Sequence, residues 1–79
     1  MRLDYFGRMA YQHWKNNLPG WFNELQRTGR LEEVLMKASQ GHRGMVMTLI
    51  ESGFALREAE KIALPQFIML SPEEAVLIG

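Results

Sequence analysis

Two histidines, two carboxylate pairs and one aromatic–basic stretch are where this chain could do chemistry. A bound metal needs three or four donors, often two histidines one helical turn apart. His13 and His42 have no such neighbour, Asp4 is the only aspartate, and there is no cysteine. Thiolate nucleophiles, disulfides and cysteine metal sites are thereby excluded. Glu32-Glu33 and Glu73-Glu74 could serve as acid/base pairs. Both pairs fall in the first turn of an expected helix, where the dipole already favours carboxylates. Ser39, Ser52 and Ser71 lack any elbow or triad context, and no glycine-rich loop suits a phosphate. These residues point away from an enzyme, with no cofactor, no metal and no evident small-molecule substrate.

The stretch "YFGRMAYQHWKNNLPGWF", residues 5–22, interleaves six aromatics with Arg8, His13 and Lys15. A single-stranded nucleic acid platform would hold such aromatics on a solvent face beside the cations. Phe6, Met9, Ala10, His13 and Trp14 instead recur at i, i+3, i+4, i+7 and i+8, one face of a helix, with Arg8 and Lys15 on the other. Spacing alone therefore assigns Phe6, Trp14, Trp21 and Phe22 to a core. A nucleic-acid surface, the alternative reading, would use Arg2, Arg8, Tyr11, Lys15 and Arg27.

The elements that would position these residues are helical throughout. Asp4 is the expected cap of a first helix that ends before Pro19. Pro19 starts a short second helix carrying Trp21, Phe22 and Leu25 on one face, closed near Gly29, with Thr28 available to cap the next. One long helix is expected from about Leu31 to Glu51, with Gly41 and Gly44 the places where it could bend or split, and Ser52-Gly53-Phe54 as its stop. In "ALREAEKIAL" Leu56, Ala59, Ile62 and Ala63 would face inward, and Pro65 would end or kink that helix. "QFIML" is too short to type. "SPEE" starts a short C-terminal helix, with Ser71 as cap, Pro72 at the first position and Glu74 in a capping box. The expected fold is a single all-α domain over residues 1–79, a small bundle of about four helices with one longer central helix and a short last one.

Within the long helix, Leu31, Leu35, Ala38, His42, Met45 and Leu49 follow steps of 4, 3, 4, 3 and 4, a heptad-like seam. Such a seam closes either the chain's own core or a contact with a second chain. The chain has six methionines, an adaptable type common on surfaces that accept a helix. Met36 and Met47 lie off the seam. The expected protein-binding residues are accordingly Leu35, Met36, His42, Met45, Met47 and Leu49.

A "MTLIESGFALREAEKIAL" helix-turn-helix would need basic or polar groups toward bases, but it offers Glu58 and Glu60 beside Arg57 and Lys61. Net charge is +0, distributed unevenly: residues 1–30 hold five cations against two anions, residues 50–79 two against five. Hydrophobic residues make up 47% and charged ones 23%, a globular composition. No basic-then-apolar leader opens the chain and no apolar run nears a membrane span, so a cytoplasmic protein without a membrane role is expected.

"YFGRMAYQHWKNNLP", "NELQRTGRLEEVL" and "REAEKIALPQFI" together resemble the TnpV family of small proteins encoded on bacterial conjugative transposons. The resemblance covers most of the chain; the middle helix is shorter here, and "SPEEAVLIG" departs from the pattern. It implies a mobile-element setting and an accessory role, and transfers no functional residue. The sequence reading is thus a helical interaction protein of a bacterial mobile element or phage. It would bind a partner protein, as an inhibitor of host defence does, or associate with itself into an oligomer.

Overall fold

The computed structural model describes residues 2–73, in which four α-helices and no strand are present. Helix α1 spans Tyr5–Asn17, α2 Pro19–Arg27, α3 Leu31–Glu51 and α4 Leu56–Phe67. Together they make a small all-α bundle on α3 as a spine. Helices α1 and α2 pack toward its N-terminal half, and α4 folds back along it.

The caps explain the start of α1 and the ends of α2 and α3. Asp4 accepts the Gly7 amide at 2.7 Å through Oδ1, satisfying one of the four orphan donors of α1. At the end of α2, the Arg30 amide reaches the Leu25 carbonyl at 2.9 Å around Gly29, whose φ is +75°. The end of α3 repeats this: the Phe54 amide reaches Leu49 at 3.0 Å around Gly53 at φ +103°. Thr28 is not the cap of α3. Its hydroxyl donates back to the Glu24 carbonyl at 2.9 Å, so it closes α2 instead. Helix α3 starts from Arg30 with no side-chain cap, and Glu32 and Glu33 occupy its first turn.

Helix α3 is continuous through both glycines. Gly41 has a packing reason: a Cβ there would come within 2.5 Å of the Phe67 ring. Helix α4 also runs through Pro65 to Phe67 rather than stopping before it. Proline lacks the N–H that would bond the Lys61 carbonyl, and the helix ends within one turn of it. Beyond it, Ile68 and Leu70 are buried, so the untyped "QFIML" is one last helical turn followed by an irregular anchor.

Two cores result. The larger joins Trp14, Phe22, Leu25, Leu31, Leu35, Ile68 and Leu70, with the Trp14 indole donating to the Ile68 carbonyl at 2.7 Å. The smaller is Val46, Ala59 and Ala63, flanked by Met45 and Leu49. Leu56 and Ile62 do not face inward as their apolar types suggested; both are substantially exposed. The contact line of α4 runs along Ala59, Ala63 and Phe67, small side chains that admit close approach, and this leaves Ile62 on the flank and Leu56 beyond the contact. Pro72 and Glu73 are helical as expected after Ser71; the rest of the expected C-terminal helix, including Glu74, lies outside the described residues.

Candidate protein-interaction face

Helix α3 positions all the residues expected to bind protein, and its geometry separates them into two sets. Leu35 is fully buried and His42 is 1% exposed. Neither can be a contact residue, because the seam they mark closes the chain's own core. Met45 and Leu49 are half-buried against the smaller core. Met36 and Met47 lie on the opposite side of the helix, 44% and 59% exposed.

Those two methionines belong to a second stripe, on the side of α3 turned away from the buried seam. It runs Met36, Gln40, Arg43, Met47 and Ile50, again in steps of 4, 3, 4 and 3, and continues into Phe54 beyond the helix. Ile50 and Phe54 are 43% and 40% exposed. Ile50 and Arg43 were missed from sequence because the inner seam offered a stronger apolar pattern. The signal that would have found them is the same 4, 3, 4, 3 spacing started from Met36.

At its N-terminal end the stripe borders a polar cluster built by Asp4. Besides capping α1, Asp4 accepts the Ser39 hydroxyl at 2.5 Å and the Arg43 guanidinium at 2.6 Å through Oδ2. The Ser39 hydrogen bond, opposed by partial desolvation and joined by Gly7 and Arg43, holds the carboxyl below its ordinary range. One aspartate thus ties α1 to the middle of α3. Beside it lies a cleft of about 250 Å³, with Met36, Gln40 and Arg2 on its rim.

His42 sits beneath, its ring 4.0 Å from that of Phe6. Neither ring nitrogen has a hydrogen-bond partner of proper geometry. Burial pushes its pKa down, while Glu60, the Ala63 carbonyl and Asp4 favour the charged form. The ring is therefore neutral at pH 7, and it is a core group rather than a ligand. Among the described residues no group of three or more His, Asp or Glu side chains could hold a metal ion.

The alternative nucleic-acid residues are only partly gathered. Arg2 and Arg8 border one shallow hollow, and Arg8 and Tyr11 another. Lys15 is exposed one to two turns further along α1. Arg27 is apart from them, paired with Glu24 across 2.5 Å on α2. Tyr11 meets Phe22 edge-to-face at 5.1 Å, so its ring is engaged in packing. Of the six aromatics in residues 5–22, Trp14 and Phe22 are buried, and Phe6, Tyr11 and Trp21 pack on the core. Only Tyr5 is largely exposed, at 63%. A stacking platform needs several such rings.

No protein-family model, curated protein or solved structure matches the chain. Among the described residues no helix is long and apolar enough to cross a membrane.

Proposed function

We propose that this chain is a helical interaction protein that acts by binding and not by catalysis, with the outer face of α3 as its contact surface. The observation that carries this reading is the exposed repeat of Met36, Met47 and Ile50 on one side of a 21-residue helix. Isolated exposed apolar side chains are ordinary, but a row at helical spacing is what helix-in-helix recognition uses. The resemblance to the TnpV family supports an accessory role on a bacterial mobile element or phage, of which inhibition of a host defence protein is one form.

A photo-cross-linking residue placed at Met47 in cells expressing the chain should yield protein adducts. The same residue at Lys15, exposed on α1, should yield few or none. Equal labelling from both positions, or no adduct from Met47, would overturn the assignment of this face. A second reading, nucleic-acid binding, draws on the adjoining exposed Arg2 and Arg8. It requires affinity for single-stranded DNA that falls steeply with salt and is lost in Arg8→Glu.

A further inference from the structure

Two exposed features of α3 that the fold itself does not use are a glycine and a glutamate. Gly44 lies in the middle of α3, where glycine costs about 1 kcal/mol relative to alanine. Gly41 is required by the Phe67 ring, but a Cβ on Gly44 would meet nothing within 4 Å. Its absence of a side chain therefore serves no contact inside the chain. Glu51 stands in the last turn of the same helix, where the dipole disfavours an anion, and no basic residue shares that turn. Glu51 has no ion-pair partner among the described residues.

Both lie on the outer face. At 100° per residue, Gln40, Arg43, Gly44, Ile50 and Glu51 all fall within about 60° of the direction of Met47. We infer that this face is occupied by a second copy of the chain, with the two α3 helices antiparallel about a two-fold axis at Met47. This rests on the interaction reading above and names its partner.

The register follows from charge and size. About such an axis, each residue lies level with the one equally far from Met47 in the other direction. Ile50 comes level with Gly44 of the second copy, where the missing Cβ lets the helices approach. Glu51 comes level with Arg43, whose side chain is 64% exposed despite its contact with Asp4. A parallel pairing would instead set Arg43 beside Arg43 and Glu51 beside Glu51, like charges at close range. The interface is isologous, so each favourable pair occurs twice.

The chain has no cysteine, so a single introduced thiol reports the register. In Met47→Cys the two thiols face each other across the axis, and mild oxidation should give a covalent dimer. In Met36→Cys they stand about 33 Å apart along the helices and should not couple. Gly44→Leu separates an interface role from a structural one. It should raise the melting temperature of the isolated chain, because leucine is the better helix former and the space is open. At the same time it should weaken self-association about tenfold or more by holding the helices apart. Coupling of both cysteine variants, or of neither, overturns the antiparallel register, and Gly44→Leu dimers as tight as wild type overturn the contact. A wild-type chain that stays monomeric overturns this inference alone. The interaction reading falls only if the cross-linker at Met47 also captures no other protein.

Discussion

The two ends of this molecule are built differently. At one end α1, α2, the first half of α3 and the residues after α4 enclose Trp14, Phe22, Leu35, Ile68 and Leu70, large side chains with almost no exposure. At the other, the second half of α3 and the first half of α4 form a two-helix layer over Val46, Ala59 and Ala63. Two helices can bury one face each and no more. Met47, Ile50, Phe54, Leu56 and Ile62 accordingly remain exposed at that end. The closed end holds the fold together and leaves Tyr5, Met36 and Met69 exposed, and the thin end leaves the larger share of apolar surface for a partner.

The largest expected contrast is in stability. Trp14→Ala removes a fully buried indole and its hydrogen bond to Ile68 and should cost about 3–5 kcal/mol, enough to unfold a chain of this size. Val46→Ala should cost about 1–2 kcal/mol by urea denaturation. Equal losses would mean that the two ends share one core.

The two mid-helix glycines sharpen the same contrast. Gly41→Ala drives a methyl into the Phe67 ring and should destabilise by about 1–3 kcal/mol. Gly44→Ala should stabilise the monomer by up to about 1 kcal/mol. Loss of stability in both would remove the distinction between an inner and an outer glycine.

His42, at the junction of the two ends, makes folding sensitive to acid. Its folded pKa lies below the unfolded 6.5, so on acidification the unfolded chain takes up a proton before the folded one. Its contribution is complete above pH 6.5 and is lost as pH falls through that value toward the folded pKa. Chemical denaturation at pH 7 and pH 5 should show the loss, and His42→Leu should flatten it; an unchanged slope would mean that the ring takes up its proton as readily in the fold as in the unfolded chain. Asp4 works in the same direction at lower pH, its stabilisation complete above its ordinary 3.8 and lost as pH falls further.

The smallest effects belong to exposed polar groups. Asp4→Ala should cost about 1 kcal/mol through the lost cap. Arg27→Ala, on a solvent-exposed pair, should cost less than Asp4→Ala. A larger penalty at Arg27 would show that α2 is held by more than its buried face.

Much of this was legible in residue types and spacing, because local rules decide it. The Asp4 cap, the Pro19 start, the left-handed Gly53 and the core role of Trp14 and Phe22 all follow from patterns within one or two turns. What depended on tertiary contacts was not. Nothing near Gly41 in sequence distinguishes it from Gly44; only the arrival of Phe67, 26 residues later, does. The rotation of α4 that exposes Ile62 comes from the closeness that Ala59 and Ala63 allow. Met36 and Met47 stood out by type, whereas Leu35 and His42 were drawn in by a seam that proved to be internal.

The most direct test is light scattering of the purified chain over a range of concentrations, beside Met47→Glu. If the outer face of α3 receives a second copy, the wild-type mass should rise from 9.2 kDa toward twice that value, while the folded variant stays at 9.2 kDa. A wild-type mass that remains at 9.2 kDa throughout, or a variant that dimerises equally well, would contradict it.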